Sequence, residues 1–143
     1  MGVADLHFLV NKMSISDQID QFLNGSLFAV VGASNDRSKY GNRVLRYYQR
    51  IGLEVIPINP KANVIEGLSA VDRLSSLDHL PHAISIITPP DVTEQIVREA
   101  VSLNIQHIWM QPGAESVESI RICDIAGINV LHSGPCILVD VPA

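Results

Sequence analysis

The sequence predicts an α/β fold, a doubly wound and mainly parallel sheet of about five strands with helices on both faces. Three observations predict it. Short runs rich in β-branched residues alternate with longer stretches whose apolar side chains recur every three or four positions. Glycines such as Gly32, Gly52 and Gly127 close these segments. Short, right-handed crossovers between parallel strands then leave a sheet covered on both faces as the arrangement that satisfies this order.

Taken along the chain, residues 1–25 form an N-terminal extension in which Ser14 to Leu23 makes a short amphipathic helix through Ile15, Ile19, Phe22 and Leu23, stopped by Gly25. The repeating part occupies residues 26–143. Its first strand is Leu27 to Val31, closed by Gly32, and the following helix carries Val44, Leu45, Tyr48 and Ile51 on one stripe before Gly52. The second strand is Leu53 to Ile58, with Pro57 at its margin, where a missing ladder donor is tolerated. Val64 and Ile65 come next, then a short helix around Ala70 to Leu74 with Leu77 and Leu80 as packing residues. Ala83 to Ile87 is apolar except for Ser85, as a parallel strand buried on both faces should be. Asp91 followed by Glu94 is an N-cap signal for a helix with the stripe Val92, Ile96, Val97, Ala100, Val101 and Leu103. His107 to Met110 is a strand, Ser116 caps a helix reaching Ala126, and Asn129 to Leu131 is the last strand.

Composition narrows the function classes. A chain of 143 residues with 47% apolar and 17% charged residues can fill one core. Its formal charge of -5 is opposite to that of a surface built to neutralise nucleic acid or an anionic membrane, so any phosphate must be held locally. No apolar run approaches the roughly 20 residues that span a bilayer, and Met1 to Met13 lacks the pattern of a secretory signal, so the cytoplasm is the expected compartment. Cys123 and Cys136 have neither the number nor the spacing of a disulfide scaffold or zinc site.

In an open parallel sheet, ligands bind beyond the carboxyl ends of the strands. Three loops there carry the chemistry. In Gly32 to Asn42, the small residues Gly32, Ala33 and Ser34 let backbone N–H groups approach a diphosphate, and the helix entry at Gly41 adds free donors and a partial positive charge. Ser34, Lys39, Asn42 and Arg43 add side-chain donors. The second loop, Asn59-Pro60-Lys61, has an amide and a cation where a nicotinamide-dinucleotide site places an acid, which suits a phosphorylated adenosine ribose such as that of coenzyme A or NADP. The third, Thr88-Pro89-Pro90, is a rigid apolar wall lacking N–H donors, suited to an adenine ring or a pantetheine arm. Pro90 also suits the first turn of the next helix.

Together with Ala29 to Ser34, Tyr40 to Val44, Val55 to Lys61 and Trp109 to Gly113, these loops resemble the small stand-alone coenzyme A-binding proteins related to the first domain of the succinyl-CoA synthetase alpha subunit. The resemblance spans roughly Ser26 to Asp140. It implies a Rossmann-like fold and coenzyme A, or an acyl-CoA, as the ligand. It places Gly32, Ser34, Lys39, Gly41, Asn42 and Arg43 on the diphosphate side, Asn59, Pro60 and Lys61 at the nucleoside, and Thr88, Pro89 and Pro90 at the wall. The synthetase works through a histidine in a second domain, for which this chain has no counterpart. The implied function is non-catalytic or regulatory binding.

Other residues carry less. None of His7, His79, His82, His107 and His132 forms an i, i+4 pair for a helical metal site, and surface or packing roles are expected for them. Cys136 is expected to be a small buried hydrophobe, and Trp109 a core residue rather than an adenine platform. No nucleophile elbow is present. Two rivals stand beside coenzyme A binding. One is an NADP- or NAD-dependent oxidoreductase or redox sensor, disfavoured by the absence of Gly-x-Gly-x-x-Gly and by Asn59. The other is an interaction module with a vestigial site, using Phe8, Leu9 and Val10 as a homodimer interface.

Overall fold

The computed structural model describes residues 13–141. The interface expected at Phe8, Leu9 and Val10 and the role of His7 lie outside them. Ser14 caps α1 (Ile15–Leu23), its hydroxyl accepting from the Asp17 amide at 3.0 Å. β1 (Leu27–Val31), α2 (Tyr40–Arg50) and β2 (Glu54–Ile58) follow, then a hairpin of β3 (Val64–Ile65) and β4 (Leu68–Ser69), and a 3₁₀ turn at Leu74–Ser76. The second half runs β5 (Ala83–Ile86), α3 (Pro90–Ser102), β6 (His107–Met110), α4 (Val117–Ile125), β7 (Asn129–Leu131) and α5 (Ile137–Asp140).

Five strands form one sheet in the order β2-β1-β5-β6-β7, every pair parallel. The strand alternation sorts the core into two layers. Phe28 and Val30 face α1 and α2 and meet Phe22, Val44, Leu45, Tyr48 and Trp109. Ala29, Val31, Ile84, Ile86, Ile108 and Met110 face α3 and α4 and meet Val97, Ala100 and Cys123. Ser85, the polar interruption in β5, points into the first layer, where its hydroxyl bonds the buried Tyr48 hydroxyl at 2.8 Å. Trp109 is fully buried, edge-on to Phe22, with its indole N–H donating to the Pro135 carbonyl at 2.8 Å. The expected doubly wound sheet is the observed one.

Three local expectations are corrected. Residues 70–73 are not helical, and the helical turn begins only at Leu74: the Val71 amide donates to Pro57 O at 3.0 Å and its carbonyl accepts from the Asn59 amide at 2.9 Å, extending the margin of β2 with a short parallel bridge. Long-range pairing there outweighs a weak local helical pattern. Leu77 packs on the second layer, but Leu80 is exposed because the chain turns away before β5, and Val92 is also largely at the surface. The helix expected to be capped by Asp91 starts earlier, with Pro89 as N-cap and Pro90 in the first turn. The fixed φ of proline favours that start, and the Thr93 amide already donates to Pro89 O at 2.9 Å.

Candidate functional site

The strand order reverses between β1 and β5, and the loops leaving these strands and β2 converge there. Gly32 leaves β1 with φ +96°, and a Cβ on it would lie 2.0 Å from Ile87 O. Gly41, in the first turn of α2, has room for no Cβ either, since one would lie 2.1 Å from Gly32 O. The two glycines therefore bring the start of α2 against the end of β1 and set where its unpaired N–H groups emerge. Close backbone approach is their structural task whatever ligand is present.

The loop between them is internally braced. Ser34 Oγ accepts from the Asp36 amide at 3.0 Å, and Asp36 Oδ1 accepts from the Ser38 amide and hydroxyl at 3.0 and 2.6 Å, which holds the Asp36 carboxyl below its usual range. Asn42 is fully buried, and its Nδ2 donates to Ser34 O at 2.8 Å and to Glu66 Oε2 at 3.0 Å, while its Oδ1 accepts from Arg46 Nε at 2.7 Å. Glu66 also accepts both arms of a fork from Arg37 at 3.1 and 3.2 Å. Hydrogen bonds from Asn42 and then Arg37 hold its carboxyl below the ordinary value. Asn35 Nδ2 donates to Val64 O at 3.1 Å, so the β3–β4 hairpin is strapped to this loop. Asn59 is a brace of the same kind, donating to Ala33 O at 2.8 Å and accepting from the Lys61 and Ala62 amides at 2.7 and 3.1 Å.

Between the loops lies a largely apolar cavity of about 200 Å³. The exits of β1 and β2 contribute Gly32, Asn59 and Pro60 to its lining, the exit of β5 and α3 contribute Thr88, Val92, Ile96 and Glu99, and the segment after β4 contributes Asp72, Arg73 and Leu74. Glu99 Oε1 accepts from the Leu74 amide at 3.2 Å, tying the 3₁₀ turn to α3. Outside this cavity, along the first loop and the start of α2, stand the exposed cations Lys39 and Arg43, with Lys61 after Pro60. Among the described residues none of these three is in a salt bridge, whereas Arg37 is paired with Glu66 and Arg73 with Asp72.

Of the thirteen residues singled out from the sequence, Gly32, Asn59, Pro60 and Thr88 line the cavity. Ala33, Ser34, Lys39, Gly41, Asn42 and Arg43 build the adjoining loop and helix entry. Lys61 follows the lining residue Pro60 and is exposed, and Pro89 and Pro90 are exposed at the start of α3; none of these three is in the lining. Leu74, Asp72, Arg73, Val92, Ile96 and Glu99 were not expected here. Leu74 and its neighbours come from the segment misread as helix, and Val92 and Ile96 show in sequence only as a helix stripe. Arg37 and Glu66 meet across 29 positions, which no local pattern reveals.

A second, more polar cleft of about 620 Å³ lies at the amino ends of β6 and β7 beside α1, lined by Gln18, Gln106, His107, Asn129 and His132 among others. It is larger, but it is shallow in chemistry: Gln18 Nε2 is already spent on Asn129 Oδ1 and Val130 O at 3.1 and 3.0 Å. None of the loop residues lines it. No group of three or more His, Cys, Asp or Glu side chains suited to a metal occurs among the described residues, and no described helix is long and apolar enough to cross a membrane.

One expectation about the cysteines is corrected. Cys123 is a buried apolar-site thiol, its pKa pushed up to about 12 by burial and the nearby Asp124. Cys136 is only partly buried and sits in a polar corner, hydrogen-bonded through Sγ to the Tyr40 hydroxyl, with its amide donating to Asp140 Oδ2 at 2.6 Å. Burial, and then that contact, raise the Tyr40 pKa well above the usual phenol value.

Comparisons with known proteins agree with this fold. A Pyrococcus furiosus conserved hypothetical protein of known structure is 38% identical, with a TM-score of 0.77 over 81% of this chain and 99% of its own. A Pyrococcus horikoshii protein superposes with a TM-score of 0.82 at 21% identity, over 90% of this chain and 89% of its own. A dinucleotide-forming acetyl-coenzyme A synthetase from Ca. Korarchaeum cryptofilum matches at 28% identity and a TM-score of 0.69, over 79% of this chain but only 27% of the synthetase. In sequence, YneT of Bacillus subtilis is 24% identical over 103 residues, 72% of this chain and 76% of its own length. The family model of the CoA binding domain matches residues 26–142, and the chain belongs to that family.

Proposed function

We propose that the protein binds coenzyme A or an acyl-CoA at the carboxyl ends of β1, β2 and β5, as a non-catalytic or regulatory binding protein. The observation that carries this reading is the apolar cavity of about 200 Å³ set beside a glycine-built helix entry, with three exposed cations that form no salt bridge among the described residues. Its walls of Pro60, Thr88, Val92 and Ile96 suit an adenine ring, which is flat and apolar on both faces. The diphosphate lies over the Ala33 to Gly41 loop, where the N–H groups of Tyr40, Gly41 and Asn42 open α2. Lys39 and Arg43 add charge at low desolvation cost because both stay in water.

Residue by residue, the roles divide. Gly32, Gly41, Asn42 and Asn59 shape the site, their space or hydrogen bonds being taken by the protein itself. Lys39, Arg43 and Lys61 are the groups left to meet phosphate. Lys61 stands beyond Pro60 at the adenine end, which fits a phosphate on the ribose better than a free hydroxyl. The β2 exit holds Asn59 instead of the acid that accepts from both ribose hydroxyls of NAD. The charged groups in the cavity lining, Asp72, Arg73 and Glu99, are occupied with each other or with the Leu74 amide, and no nucleophile and base face one another there. Binding, cargo presentation or sensing is the activity such a site supports. Thermal unfolding with coenzyme A, acetyl-CoA, NADP and NAD tests it: coenzyme A should raise the transition most. A larger rise with NADP, or none with coenzyme A, would sink the reading.

A further inference from the structure

Beyond the carboxyl end of β6, on the α2 side of the sheet, lies a corner of nucleophilic and polar groups that coenzyme binding does not use. Gln111 is fully buried, and its Oε1 accepts from the Ile137 amide at 3.0 Å and from the Tyr40 hydroxyl at 3.4 Å. The Ile137 N–H fixes the orientation of this amide, because only the oxygen end can accept there. Nε2, on the same amide carbon, is left sealed and without an acceptor. Buried donors are rarely orphaned, and this one marks a place where a further acceptor group belongs. The Tyr40 hydroxyl next to it also contacts Cys136 Sγ, and Cys136 is partly open to solvent.

We propose that Cys136 is a modification site that exchanges with a low-molecular-weight disulfide and carries the resulting mixed disulfide. The reaction balances without a further reagent. The Cys136 thiolate donates its electron pair to one sulfur of a disulfide R–S–S–R, a protein–S–S–R bond forms, the old S–S bond breaks, and R–S⁻ leaves. The protein sulfur is oxidised and the departing one reduced, and the thiol proton has gone to water. Tyr40 is the positioning residue: with Oε1 of Gln111 engaged by Ile137, its O–H is free to turn to the sulfur and donate to the thiolate. The Cys136 amide is anchored on Asp140 at 2.6 Å, which holds the residue at the N-terminus of α5 in one place for the exchange. Once the corner opens to admit the incoming group, an amide carbonyl of that group supplies the acceptor that the sealed Gln111 Nε2 lacks. The amide bonds of glutathione and the pantetheine arm both offer one. Cys123 is an internal control, since it is buried, held protonated and packed in the α3 and α4 layer.

The test is intact-protein mass spectrometry of the full chain at neutral pH with glutathione disulfide, and separately with coenzyme A disulfide. One adduct per chain, mapped to Cys136 and removed by dithiothreitol, is expected while the protein is folded. C123S should react like the parent protein and C136S should gain no mass. Y40F should react roughly tenfold more slowly, the loss expected from one charge-assisted hydrogen bond, with its pH–rate profile moved to higher pH. Comparable rates with both disulfides make the donor a general small disulfide, and a faster reaction with the coenzyme disulfide assigns the donor to that ligand. No adduct on folded protein, an adduct confined to Cys123, or a Y40F rate and pH profile identical to the parent's would overturn the proposal. None of these results depends on whether the reduced coenzyme binds at the cavity.

Discussion

Gly32 and Gly41 show how much of the site is decided by single atoms. At Gly32 an alanine meets both a left-handed φ and a carbonyl 2.0 Å from its Cβ, so strain and overlap add. We expect Gly32→Ala to cost about 3 kcal/mol or more in denaturant unfolding. Gly127 is the comparison, with φ +73° and open space around its missing Cβ, and Gly127→Ala should cost only about 1 kcal/mol. Equal losses would mean that close approach at the β1 exit is unimportant. Lys61 makes the opposite case. Lys61 is exposed and in no salt bridge among the described residues, so Lys61→Ala should leave stability within about 0.5 kcal/mol. By calorimetry it should weaken coenzyme A more than dephospho-coenzyme A, and equal weakening of both would show that Lys61 does not meet the ribose phosphate. Among these residues, the glycines, Asn59-Pro60-Lys61 and Thr88 were legible in sequence because each is a local departure from what a strand or helix needs. Their division into shapers and contact groups was not legible. Asn42 and Asn59 read as ligand donors until their partners on Ser34, Glu66 and Ala33 are seen.

At the scale of elements, α1 docks on the sheet through an amide and imidazole network. Gln18 bridges to Asn129 and Val130, Asn129 Nδ2 faces His107 Nδ1 at 3.1 Å, and His82 Nε2 meets Gln21 O at 2.9 Å. The His82 and His107 rings stack with centroids 4.4 Å apart. Burial, and then His82, lower the His107 pKa from its ordinary 6.5. The unfolded chain therefore binds more protons than the folded one between that value and the depressed one, so stability is full above about pH 6.5 and falls as the pH drops through this window. H107Q should flatten the slope of unfolding free energy between pH 7.5 and 5.5. An unchanged slope would show that the pair does not govern it. The strap between the β3–β4 hairpin and the first loop is the other lesson at this scale. The pattern of residues 70–74 suggested a helix, but the Val71 amide and carbonyl are taken by Pro57 and Asn59 and the Ala70 amide by Asn63, and that extended path carries Leu74 into the cavity lining. Strands β1, β5, β6 and β7 were recognisable because they are buried on both faces and so lack polar alternation; the hairpin has two residues a side and no such signature.

For the whole molecule, the thermal experiment has a definite size. A ligand at about a hundred times its dissociation constant adds about 2.7 kcal/mol to the unfolding free energy, which for a domain of this length is about 8 °C in the transition. Such a shift requires the cavity and the helix entry to bind as one unit, since adenine and diphosphate contacts lie on separate loops. The sequence by itself determined the strand and helix order, the parallel sheet it implies, and the three loops at its carboxyl end. Apolar periodicity and glycine or proline punctuation are local, and they suffice for that. Only the tertiary structure decided which side chains are left for a ligand, that Leu74, Val92 and Ile96 complete the cavity, and that Tyr40, Gln111 and Cys136 meet. Those residues are separated by up to 96 positions, and their meeting is fixed by the β2-β1-β5-β6-β7 strand order and by where the chain is already spending its hydrogen bonds. No short-range pattern encodes that accounting, because a buried polar group finds its partner across the sheet and not along the chain.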